Sequence, residues 1–171
     1  MNYSPSTIAV ASELAMGLRS ETSTLNNATY LLTGGTDTAC FNIIGRIWVK
    51  QLYLEAITAF SANATQIAFF FDASTPAVAS NLMCAKCASV SGLGAGQRVV
   101  WVGGAVATAA VITDSAGLSD VCATAPQLVG MYGGVGTLGV QTSDASQASG
   151  TFRVVMHWAA GSDGAYAEAA L

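Results

Sequence analysis

The sequence predicts an all-β protein, a β-sandwich with a jelly roll as its topology, preceded by one short N-terminal α-helix. Three observations carry this. The apolar runs are short and rich in β-branched and aromatic residues, and they either alternate with polar residues or stay apolar for one strand length. Turn signals built from Gly, Ser, Thr, Asn and Asp separate them at fairly regular spacing. Only the N-terminal segment carries a helical period. A chain of 171 residues has the size of one domain. The expected division is a helix and linker arm over residues 1–28 and a β-sandwich over residues 29–171.

In the first segment Ser4 can cap a helix with Pro5 at its first position, and Ile8, Ala11, Leu14 or Ala15, and Leu18 then share one face. That face suits the chain's own sheet or a neighbouring subunit, and both stay open. "SETSTLNNAT" is expected to be a linker. From Cys40 to Thr58 the apolar phase runs through Ile43, Ile47 and Val49, then slips by one residue to Leu52, Leu54 and Ala56. Such a slip is the mark of a β-bulge, or of a strand leaving one sheet for another. "TQIAFFFDAS" reads as a short buried strand, followed later by "QLVGMYGG", "GTLGVQTS" and "GTFRVVMHW". In the last of these Phe152, Val154, Met156 and Trp158 point one way and Thr151, Arg153, Val155 and His157 the other.

The most apolar stretch, "RVVWVGGAVATAAVITDS" from Arg98 to Ser115, tests the membrane alternative. A spanning helix needs about 20 apolar residues, whereas this run is bounded by Arg98 and Asp114 and broken by Gly103-Gly104. It reads as strand, turn, strand, with the glycines supplying the positive φ of the turn.

Composition points outward. The chain is 52% hydrophobic and only 9% charged, against roughly 25% charged in an ordinary soluble domain. A surface so thinly charged suits burial against neighbours. The six Lys and Arg form no cluster and the net charge is −4, so no nucleic-acid partner is expected, because that affinity rests on grouped cations. No membrane partner is expected either. The opening "MNYSPSTIAVASELAMG" has no positive n-region, so synthesis without export is expected.

Catalytic and metal chemistry is sparse. Cys84-x-x-Cys87 has the spacing of a redox pair or half a zinc site, but His157 is the only histidine and Cys40 and Cys122 make no second pair. Buried thiols in a reducing compartment are the expectation. Gly134-x-Gly136-x-x-Gly139 has the dinucleotide pattern, yet a β-type stretch follows it where a helix should, so these glycines are expected to serve turns and close strand approach. Glu55, Asp72, Asp114, Asp120 and Asp163 are the carboxylates weighed for a glycosidase pair, and Glu55 alone lies inside a strand. The sequons at Asn27 and Asn63 are read as chance in a chain without a secretory signal. No catalytic residue, cofactor or metal is therefore expected.

The C-terminal stretch, with Gly150–Trp158, then Asp163-Gly164-Ala165, then Ala167–Leu171, resembles the ending of small structural proteins of tailed bacteriophages. It departs from that pattern at Ala159-Ala160-Gly161, where a proline and a leucine would stand. The resemblance implies a virion component without active-site residues. A capsid decoration, or cement, protein comes first, forming oligomers such as trimers and contacting the major capsid protein. A tail-tip or fibre protein binding a host glycan comes second, with Trp48, Tyr53 or Tyr132 stacking on sugar rings. The interface residues expected are Ile8, Leu14 and Leu18 on the helix face, Arg153 and His157 on the last long strand, and the tail from Tyr166 to Leu171.

Overall fold

The computed structural model describes residues 19–26, 37–75, 81–113, 126–143 and 149–170. These form a nine-stranded, curled antiparallel sheet and contain no helix. The N-terminal helix expected from Ile8, Leu14 and Leu18 lies outside the described residues.

The strands are β1 (Arg19–Asn26), β2 (Asp37–Ala56), β3 (Ile67–Thr75), β4 (Asn81–Leu82), β5 (Arg98–Trp101), β6 (Val111–Thr113), β7 (Gln127–Thr142), β8 (Thr151–Ala160) and β9 (Tyr166–Ala169). Their order is β1-β8-β2-β7-β3-β4, with β5 and β9 also on β2 and β6 on β5. Part of the segment expected as a linker is a strand instead. Residues 19–26 pair along the whole of β8, from Arg19 opposite Trp158 to Asn26 opposite Thr151. Its Ser and Thr residues carry no hydrophobic alternation, so the ladder to β8 rather than local pattern makes it a strand.

Strand β2 organises the molecule. One edge pairs with β7 and then β5, while the other pairs with β9 and then β8. Its 20 residues change phase where the register shifts, between Ala39 and Phe41 and again between Val49 and Gln51. Phe41, Ile43, Ile47 and Val49 are buried before the second shift, and Leu52, Leu54 and Ala56 after it. The phase slip expected from the sequence is thus a bulge. It keeps one face on the core while the strand changes partners.

The core gathers that face with Phe69, Val99, Trp101, Leu138, Val140 and the inner side of β8. Phe152, Val154, Met156 and Trp158 are fully buried, as alternation requires. Val155, expected on the polar side, is buried too, in a small second cluster with Tyr53 and Val100. Residues Arg98 to Thr113 form the expected hairpin, with Val99 opposite Ile112, but Val102–Ala110 makes a longer loop than a two-residue turn. Gly103 and Gly104 both hold positive φ within it.

Candidate interaction surface

At Gly45 both neighbours of β2 leave it. On one side Ile44 pairs with Val135 and Arg46 with Gly130, so Met131–Gly134 of β7 loops out. On the other side β8 ends opposite Ile47 and β9 begins opposite Ile44, so residues 161–165 loop out. The backbone around Gly45 is tied down from both loops. Arg46 N donates to Ser162 Oγ at 3.1 Å, and Gly161 N donates to Arg46 O at 2.8 Å.

Around this point the side of β2 turned away from the core is apolar and open. Val135, Ile44 and Tyr166 lie side by side on β7, β2 and β9, and Trp48 lies opposite Leu128. Tyr132 rises from the β7 excursion with its ring 5.6 Å from the Arg46 guanidinium. These six apolar and aromatic side chains are 40–78% exposed, Tyr132 the most. Arg46 Nε, buried between them, has no hydrogen-bond partner. Beside the patch, and sharing Leu128 with it, is an open groove of about 260 Å³ lined by Phe71, Met83, Trp101, Leu128 and Gly130 among others.

Of the expected interface residues, Tyr166 belongs to this patch. Arg153 and His157 lie farther along the same outward side. Glu55 accepts from Arg98 Nε at 3.3 Å and from Arg153 at 3.1 Å, one carboxylate oxygen to each. The register explains it, since Glu55 stands opposite Arg98 on β5 and Arg153 on β8. Arg98 also lies 4.7 Å over the Tyr53 ring. Tyr53 is buried and so offers no platform for a sugar, whereas Trp48 and Tyr132 are exposed. His157 stands opposite Gln51, and burial, followed by the charge of Lys50, lowers its pKa from 6.5.

The cysteines of the C-x-x-C are free and buried. They hold the edge of β3. Ile67 N donates to Cys87 Sγ and Phe69 N to Cys84 Sγ, each at 3.3 Å, while Cys87 N and Met83 N donate back to Ile67 O and Phe69 O. Burial raises both thiol pKa values above 9.0 and pushes Cys40 up to about 12. Gly134, Gly136 and Gly139 lie within β7, where a Cβ would strike the carbonyl oxygens of Thr75, Asp72 and Thr38. Close strand approach accounts for the G-x-G-x-x-G spacing. Among the described residues no group of three His, Cys, Asp or Glu is placed to hold a metal, and no helix is long and apolar enough to cross a membrane.

The fold and surface define an all-β protein with an apolar outward patch on one curled antiparallel sheet. No family model matches the chain, and no curated protein matches it. Among solved structures it is similar to a chain of the infectious bursal disease virus Gx strain, with 12% identity and a TM-score of 0.28. That match takes in 87% of this chain and 38% of the other. A superposition so loose fixes neither fold topology nor function.

Proposed function

We propose that this chain is a non-enzymatic structural protein of a virion, a decoration protein that binds a phage head as an oligomer and stabilises it. The observation that carries this reading is the outward patch of Ile44, Trp48, Leu128, Tyr132, Val135 and Tyr166 on a chain with only 9% charged residues. Exposed apolar surface of this kind is a liability in isolation and a contact in an assembly. Many copies, each burying a modest area against the major capsid protein and each other, add their contacts through multivalency. In this reading the chain is made in the host cytoplasm and ends in the particle, with no cofactor, nucleic acid or membrane as partner. The curled sheet is read as a sandwich, because β2 passes from the β7 and β9 neighbourhood to that of β5 and β8 around one core. Quantitative mass spectrometry of purified particles tests the function. Hundreds of copies, retained on heads separated from tails, are expected, and a handful confined to tails refutes the reading.

A second reading has its own observation. Trp48 and Tyr132 are exposed aromatic rings on one patch, with Arg46 against the Tyr132 ring, a surface on which sugar rings stack. A tail-tip or fibre protein would use it to bind a host-surface glycan. A glycan array probed with the purified chain separates the two, since a decoration protein leaves it blank.

A further inference from the structure

We infer that two copies of this chain pack patch against patch about a two-fold axis, the Tyr132 ring of each entering the groove of the other. This deepens the structural-protein reading and rests on it for biological setting. Three observations favour a second copy over a foreign partner. The first is area: the six side chains, 40–78% exposed, present roughly 500 Å² of apolar surface, near the top of what a lone subunit shows and a large part of the ~800 Å² that each partner of a stable pair buries.

The second is shape. Tyr132 is 78% exposed and stands on an excursion whose flanks, Gly130 and Gly133, hold positive φ. The Arg46 guanidinium against its ring holds it ready, so little freedom is lost on docking. The groove, at about 260 Å³, falls below the usual range of small-molecule sites, roughly 300–1,000 Å³, and suits one aromatic side chain. Knob and groove share β7, with Tyr132 two residues past Gly130 of the groove lining. An axis passing between them lets each copy fill the other, as an isologous contact demands.

The third is charge. At the patch itself Arg46 on β2 and Glu168 on β9 stand on either side of the Ile44–Tyr166 pair, one charge of each sign. A patch flanked by one cation and one anion meets its own copy without net repulsion.

The test uses the full chain. Light scattering after size exclusion should give the mass of a dimer, and Tyr132→Ser should weaken its dissociation constant by at least ~30-fold, the loss typical of a buried aromatic anchor. Leu128→Asp, at a second exposed position, should do the same, with unchanged far-UV circular dichroism in both variants. A photoreactive benzophenone residue at position 132 should cross-link to peptides containing Met83 or Trp101 of a second copy. A monomer, a trimer, or cross-links confined to one chain would overturn the pairing, as would a monomer whose Tyr132→Ser variant loses a sugar on the array. Copy number in particles is read separately. Abundant chain on heads with a monomer in solution sinks the pairing alone, and a dimer absent from particles sinks the virion reading alone.

Discussion

Gly130 of β7, opposite Arg46 in the ladder, lies against the backbone of Gly45 on β2 with no room for a side chain of its own. A Cβ on Gly130 would run into the carbonyl oxygen of Gly45, and one on Gly45 would press on Ser162 and Ala165. Both residues also hold positive φ, at 71° and 95°. The two loops that frame the outward patch therefore depend on these glycines.

Gly130→Ala should destabilise the protein by about 3 kcal/mol, since it adds backbone collision to a conformation that L side chains rarely adopt. Urea unfolding followed by tryptophan fluorescence measures it. A loss under ~0.5 kcal/mol would mean that the excursion relaxes freely. Gly133→Ala, which meets nothing nearby but shares the positive φ, should cost about 1 kcal/mol.

Glu55 is held between Arg98 and Arg153, whose side chains are 37% and 45% exposed. Solvent therefore screens much of the attraction, and Glu55→Gln should cost only about 1 kcal/mol. The cost should shrink in high salt, because the lost term is electrostatic. Urea midpoints at low and high salt read both numbers.

Histidine supplies a pH dependence with a definite sign. Burial and Lys50 hold the folded pKa of His157 below 6.5, so the unfolded chain takes up its proton first as the solution is acidified. The stability present above pH 6.5 should decline as pH falls through the depressed folded value. His157→Gln should remove that part of the acid slope. A proton NMR titration of the imidazole checks the direction, and a midpoint above 6.5 would contradict it.

Cys40, Cys84 and Cys87 should resist alkylation in the native protein at pH 8, where buried thiols with raised pKa values give little thiolate. They should react quickly in urea. Cys84→Ala should also destabilise, by about 2 kcal/mol, because it leaves the Phe69 amide without its acceptor. Mass spectrometry of labelled peptides follows the first effect and urea unfolding the second.

Several features could be read from residue order because they are local. The slip from Ile47 and Val49 to Leu52 and Leu54 marks the bulge directly, since a period of two survives everywhere except where an extra residue is inserted. The inner face of β8 follows from the same alternation. The glycines at 134, 136 and 139 were legible as close-approach positions because no helix pattern follows them.

Other features had no local signature. Strand β1 has Leu25 as its one apolar residue and exists because β8 offers it an edge. "QLVGMYGG" and "GTLGVQTS" look like two strands, yet β2 joins them into β7 by pairing on both sides of the excursion. Glu55 meets its two arginines only through the registers of β5 and β8.

All-β character, one buried face per strand and a surface short of charge are set by composition and by periodicity along the chain. Pairing decided the rest: Ile44, Val135 and Tyr166 come from three strands far apart in sequence and become one patch only when the sheet is registered. Alternation tells each strand which side to bury. It says nothing about which strand lies next to it, because that choice is made by backbone hydrogen bonds common to every residue.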